Sequence, residues 1–269
     1  MSLLSNKIKP SAKKEGMRMI LAGAEGVGKT QMLSSAPKPI LLAIEKGYAN
    51  VDLEKVDVVE INSYIDYLNV LAELSELVTA GTMPYESIVT DSISALERCI
   101  NEYVMSLDPT AKSVTSTMIS CHGGFAKAHG IATKEFEKVI TWIDWFRSNG
   151  INSLMTCHIF ADTIKDSDFG MEIPFQELLI YSPKRSNNYG ARELLSQLCD
   201  CIGYMTADSK SKEGRKIMLE TTMNDRNRAK NRYSITESLV IPKESGWNVF
   251  AQKVFENKGE LAQYDYRVQ

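Results

Sequence analysis

The sequence predicts an α/β fold in which a mainly parallel central sheet is flanked by helices, and three observations predict it. Short apolar runs, such as Met17 to Ala22 (broken by Arg18 alone) and Ile40 to Ile44, read as strands buried on both faces. Between such runs lie segments with apolar residues three and four apart, the period of a one-sided helix. The first run passes directly into Gly23-Ala24-Glu25-Gly26-Val27-Gly28-Lys29-Thr30, a G-x-x-x-x-G-K-T loop between a strand and a helical segment.

That loop is built for phosphate. Its glycines let the backbone curl so that successive N–H groups point at one anion. Lys29 would reach the outer phosphates and Thr30 would offer its hydroxyl to Mg²⁺. The nucleotide-binding set therefore comprises Gly23, Ala24, Glu25, Gly26, Val27, Gly28, Lys29, Thr30 and Gln31, with ATP and Mg²⁺ as cofactors.

The remaining elements follow in order. Residues 1–16 are polar, carry Lys7, Lys9, Lys13 and Lys14, and read as a loose or oligomerisation arm. After Ala36-Pro37-Lys38-Pro39, Ile40 to Ile44 is a buried strand ending at Glu45, and Val56 to Ile61 is another. Leu68, Leu71, Leu74, Leu77 and Val78 mark one face of a helix that begins near Ile65 and stops at Gly81. Ser87 to Asp91 is a strand, and a helix from Ile93 buries Leu96, Ile100, Tyr103, Val104 and Leu107. Asp108 to Thr133 has neither period and reads as a long functional loop. Lys134 to Ser148 is a helix whose stripe is Phe136, Val139, Ile140, Ile143 and Phe146, widened by Trp142 and Trp145. Asn152 to Cys157 is a core strand ending at His158, and Ile159 to about Pro183 is irregular or a hairpin. Gly190 to Leu198 reads as a helix, Cys201 to Thr206 and Lys216 to Thr221 as strands, and Val249 to Glu256 as a closing helix.

Three polar strand tips point to hydrolysis. An aspartate at the end of its strand, as Asp91 is, holds Mg²⁺ in nucleotide-binding sheets, although Asp91-Ser92 before Ile93 also suits a helix cap. Hydrolysis further needs a carboxylate that activates water near the γ-phosphate. Ser92 follows the metal aspartate directly, so that position is closed, and Glu45 at its own strand end is the candidate base. His158 ends a third strand, where it would hydrogen-bond the γ-phosphate and report its loss.

Composition excludes other classes. A hydrophobic share of 43% and a charged share of 24% belong to a globular chain with a core. A net charge of −3 carries no global sign of nucleic-acid binding, so such a site must be a local patch. Five cysteines without regular spacing argue against a disulfide framework, and with no apolar run of spanning length or signal-peptide core they place the chain in the cytoplasm, off the membrane. Between Lys210 and Arg232 basic residues outnumber acidic ones, a solvated face or a phosphate contact.

Together, the phosphate loop, the strand ending in Glu45, the strand Tyr85-Glu86-Ser87-Ile88-Val89-Thr90-Asp91-Ser92 and the strand ending in His158 resemble the RecA-like ATPases. Ala36-Pro37-Lys38-Pro39 before Glu45-Lys46-Gly47, the run Leu198 to Met205, and Lys230-Asn231-Arg232 make the chain similar to the phage-encoded single-strand-annealing (Sak-type) recombinases over about residues 17–235. The resemblance implies a RecA-like P-loop NTPase core at 17–240, an arm at 1–16 and a C-terminal extension at 241–269. It implies a homo-oligomeric ring or filament in which a basic residue reaches the neighbour's γ-phosphate, Lys230 and Arg232 matching best and Arg226 and Arg228 next. It also implies single-stranded DNA held by 108–133 and 159–190, with Lys112, Lys127, Lys184 and Arg185 as contacts, and a single-strand DNA-binding protein as a further partner. Asp162, Asp166, Asp168 and Glu172 make the second of those regions acidic, and Ala43 stands where the family often has an acid two positions before the catalytic Glu. The expected function is a Mg-dependent, DNA-stimulated ATPase of host-cell cytoplasm that promotes annealing or strand pairing. A helicase or packaging motor, a small-molecule kinase and an ATP-switched scaffold are the alternatives.

Overall fold

β1 (Arg18–Gly23) is buried at all six positions, as a strand covered on both faces must be. The structure, a computed structural model, describes residues 15–50, 56–108, 117–165, 172–183, 190–208 and 216–258. After β1 come α1 (Lys29–Leu33), β2 (Pro39–Ala43), a 3₁₀ turn over Lys46–Asn50, β3 (Asp57–Glu60), α2 (Tyr64–Ala80), β4 (Ser87–Asp91) and α3 (Ile93–Ser106). The chain continues through α4 (Lys127–Ser148), β5 (Asn152–Cys157), β6 (Ile159–Lys165), β7 (Glu172–Leu178), α5 (Ala191–Leu198) and β8 (Cys201–Asp208). It closes with β9 (Lys216–Glu220), β10 (Lys230–Asn231), β11 (Leu239–Ile241) and α6 (Gly246–Lys258).

The main sheet runs β11-β9-β8-β1-β5-β4-β2-β3, with β10 paired to β8. Its six-strand block from β8 to β3 is parallel throughout, and β9, β10 and β11 are antiparallel additions. This is the mainly parallel, helix-flanked α/β sheet that the sequence predicts. Because side chains alternate along a strand, each central strand feeds two cores. Ile20, Ala22, Ile40 and Leu42 pack with α2, α3, α4 and α5, whereas Met19, Leu21, Leu41 and Ala43 pack with α1 and α6 through Met32, Leu33, Trp247 and Phe250.

Local signals fix the longest predicted helix. Ser63 Oγ accepts from Asp66 N at 3.1 Å to cap α2, and Gly81 closes it at φ 71°, a left-handed turn that suits glycine. Ser63→Ala is expected to cost about 1 kcal/mol of stability, read as a lowered urea midpoint at unchanged slope.

Several elements depart from expectation. The segment predicted as loop up to Thr133 is already helical from Lys127, because its inward positions are the small residues Ala128 and Ala132, which carry little periodic signal. The stretch from Ile159 takes the hairpin alternative, with β6 and β7 antiparallel from Ile159↔Leu178 to Lys165↔Glu172. Trp142 and Trp145 are half-buried beside Phe146, in the core of α4's face. At the opposite end of the sheet from the phosphate loop, buried Arg18 joins the starts of β1 and β8. Its Nε and Nη2 donate to Asp200 at 3.2 and 3.0 Å, and its Nη1 to Asp144 at 2.7 Å. Pairing of this kind is what makes a buried guanidinium tolerable. The five cysteines are free thiols.

Candidate functional site

The phosphate loop leaves β1 at Gly23 and turns into α1 at Lys29. Gly26 at φ 68° and Gly28 at φ 101° occupy left-handed backbone, so a side chain at either would strain the curl. Lys29 is only 7% exposed, and its Nζ donates to Gly23 O and Ala24 O, each at 2.9 Å. Burial lowers its pKa, and Asp91 opposes that shift most. The ammonium is thus a desolvated charge aimed into the loop.

Asp91 lies across from it. Thr30 Oγ1 donates to Asp91 Oδ2 at 2.8 Å, and Thr156 Oγ1 donates to Asp91 Oδ1. Thr156 belongs to β5, the strand that stands between β1 and β4, so the sheet order places its hydroxyl between loop and carboxylate. The cap of α3 is Ser92, whose Oγ accepts from Ala95 N at 3.1 Å; Asp91 is left facing Thr30. Thr30 and Asp91 offer hard oxygens on one spot, a donor set that fits Mg²⁺ completed by phosphate and water. Such an ion would neutralise phosphate charge. Among the described residues no cluster of three His, Cys, Asp or Glu forms a self-sufficient metal cage.

Glu45 is hooked over the same strand tip, since Ile44 N and Glu45 N both donate to Asp91 O, at 2.8 and 3.1 Å. His158 Nε2 lies 2.9 and 3.0 Å from the two Glu45 carboxylate oxygens, and Ser92 Oγ donates to Oε1 at 2.7 Å. The His158 bond, above all, lowers the Glu45 pKa; burial opposes it and Ser92 assists. Glu45 is therefore an ionised carboxylate at neutral pH, as a base must be. The tips of β1, β2, β4 and β5 accordingly bring Lys29, Thr30, Asp91, Glu45 and His158 to one sheet edge.

A groove of about 940 Å³ follows the phosphate loop from Glu45 to an apolar wall: Met205, Ile217, Val240, Ile241 and Pro242. Met205 lies on β8 and Ile217 on β9, both strands that the sequence predicts, whereas Val240 and Ile241 belong to β11, whose three residues are too short for periodicity to show. Val240 is 52% exposed, an apolar surface suited to a nucleoside.

Other candidates lie elsewhere. Lys230 Nζ donates to Ser196 O at 2.7 Å and Gln197 O at 3.3 Å, at the end of α5, and Arg232 Nη1 pairs with Asp200 at 3.0 Å. Both sit by the start of β8, the opposite sheet edge from the phosphate loop of the same chain. Arg228 pairs with Glu177 at 3.1 Å and covers the Phe175 ring, and exposed Arg226 adjoins β7 through its carbonyl, which accepts from Gln176 N at 2.7 Å. Lys127, exposed, opens α4. Lys112, Lys184 and Arg185 lie outside the described residues, as do the arm lysines Lys7, Lys9, Lys13 and Lys14. Asp162 and Glu172 are exposed on the β6–β7 pair; Asp166 and Asp168 are likewise outside the described residues.

Glu97, one turn into α3, is the carboxyl that sequence reading missed. Both its oxygens accept from Tyr181 N, at 2.9 and 3.0 Å, and burial pushes its pKa to about 7 against the pull of that bond and of Arg192. Folded protein keeps this proton up to about pH 7, whereas the unfolded chain releases it in the ordinary carboxylate range. Stability therefore falls as pH rises through that window and stays lower above it. Glu97→Gln, which keeps an acceptor for Tyr181 N, is expected to raise the Tm by about 5 °C at pH 8 and by clearly less at pH 5 in thermal unfolding.

A family model described as an AAA domain matches residues 15–233. Among solved structures, a KaiC-like protein from the hyperthermophilic archaeon Pyrococcus horikoshii is similar at a TM-score of 0.41 and 14% identity, covering 86% of this chain and 88% of that one. No curated protein matches the chain. Among the described residues no helix is long and apolar enough to cross a membrane.

Proposed function

This chain belongs to the AAA domain family, and from that premise we propose that it is a Mg-dependent ATPase that assembles on single-stranded DNA and promotes annealing or strand pairing. The observation that carries the hydrolytic half is the Glu45–His158 pair beside Lys29, Thr30 and Asp91. An ionised carboxylate held at the mouth of a phosphate loop is equipped to activate water. The DNA half is supported by position: the hairpin β6–β7 and the start of α4, inside the two regions that the resemblance assigns to DNA, flank this same sheet edge. Arrangement of the chain in a phage-type ring or filament, with a basic residue completing the neighbour's site, belongs to the same reading. Among the finger candidates, Arg228, Lys230 and Arg232 each hold side-chain contacts within their own subunit, whereas Arg226 is exposed beside β7.

The test is steady-state ATP hydrolysis with and without a single-stranded oligonucleotide, at low and high salt. Stimulation that fades as salt rises is expected, because phosphate contacts release counterions. Hydrolysis that ignores the oligonucleotide at every salt concentration overturns the DNA half.

A further inference from the structure

A cleft of about 1020 Å³ opens behind the hydrolytic pair and meets the nucleotide groove at Glu25, Glu45 and His158. One wall is the α3 face that carries Ser94, Glu97, Arg98 and Asn101, spaced three and four apart as a single helix face requires. The other is His129 of α4 and the strand exit Leu179 to Tyr181. Tyr181 and His129 stack with ring centroids 4.0 Å apart and planes 5° from parallel, and the bonds from Tyr181 N to Glu97 hold the tyrosine backbone in place. Half-exposed Leu179 adds apolar surface.

The wall chemistry selects its guest. Glu25 and Glu45 face the cleft against one guanidinium, Arg98, and Glu97 adds a buried carboxyl, so no surplus of positive charge attracts a second phosphate there. A rigid aromatic plane suits a flat ring, since stacking on aromatic side chains tolerates any base. The Asn101 amide and the Glu97 carboxyl offer donors and acceptors to an amide-like edge. We propose that this cleft receives a nucleobase, with Tyr181 as its stacking surface and Asn101 and Glu97 as the groups that meet its edge. The base comes from an unstacked nucleotide of a single strand or from a free nucleoside; the first source rests on the DNA-binding reading above. Arg98 Nη2 stands 3.4 Å from Glu45 Oε1, so an occupant touching this helix face adjoins the carboxylate that faces the γ-phosphate position.

Photocrosslinking of the full chain tests it, with a 5-iodouracil-bearing oligothymidylate and, separately, free 5-iodouridine as probes, both mapped by mass spectrometry. The expected result is crosslinking to Tyr181 or His129, with oligonucleotide affinity about 10-fold weaker in Tyr181→Ala and recovered in Tyr181→Phe. Circular dichroism of each variant checks folding. Crosslinking there by the nucleoside alone supports the cleft while removing the strand as its source. Oligonucleotide binding with crosslinks elsewhere, and with Tyr181→Ala binding as tightly as the parent, overturns the cleft and leaves the DNA reading intact. Failure of both probes to bind overturns both.

Discussion

Glu45→Gln is expected to slow ATP turnover by about 10²–10⁴-fold while ATP affinity stays within a few-fold of the parent, the usual effect of removing a positioned general base. Gln keeps the volume and an oxygen for Ser92 and His158 but cannot take a proton from water. The carboxylate is held by His158 and Ser92, not by Lys29, so the substitution leaves the phosphate-binding charges in place. pH supplies a second readout. Because the His158 bond lowers the Glu45 pKa, the carboxylate stays ionised from neutral pH down past its ordinary value, and the acid fall in turnover that it causes lies below that value. The same shift adds stability above the ordinary carboxylate pKa, lost as pH falls through the folded one. Single-turnover hydrolysis with a separate measurement of bound nucleotide resolves chemistry from binding. Unchanged turnover would point to the scaffold reading, in which ATP only drives assembly.

Lys29→Ala is expected to lower kcat/KM for ATP by about 10²–10³-fold, with weakened binding as a large part of the loss. The lysine waits on two loop carbonyls, bonds that it would exchange for phosphate oxygens of opposite charge. Its lowered pKa means that burial penalises the ammonium while no phosphate is present. Without nucleotide, the variant should therefore unfold at the parent's temperature or above it. With saturating ATP and Mg²⁺ the parent should gain Tm and the variant should not, because only a ligand bound to the native state stabilises it. A thermal-shift series across ATP concentrations measures both, and an equal ATP-dependent gain in the two proteins would remove Lys29 from the phosphate site.

How much of this was legible follows from what kind of signal each feature leaves. A continuous apolar run identifies β2 and all but one position of β1, because a strand buried on both faces favours apolar side chains throughout, whereas β4 and β5 show only a short apolar centre between buried Ser, Thr, Asp and Asn. Where burial uses small or polar groups the signal fails. The first turns of α4 bury alanines, and Arg18 and Asn152 are buried strand residues held by hydrogen bonds, Arg18 to Asp200 and Asn152 to Met17 N and Ser87, not by hydropathy. Of the site, Lys29, Thr30, Asp91, Glu45 and His158 were readable as a loop and as polar ends of strands. Thr156 was hidden inside its own strand, and Glu97 looked like an ordinary charged position on an amphipathic helix.

The sequence by itself determined the phosphate loop, the α/β class and the polar strand tips, since each depends on residues close together in the chain. Only the tertiary structure decided which tips meet. Inserting β5 between β1 and β4 brings Thr156 to Asp91, and curling β2 over β4 brings Glu45, 113 positions away in sequence, onto His158. Strand order also set the apolar groove wall from β8, β9 and β11, and it joined α3, α4 and the exit of β7 into a second cleft. Such contacts arise from packing between distant segments, whose partners no local periodicity encodes.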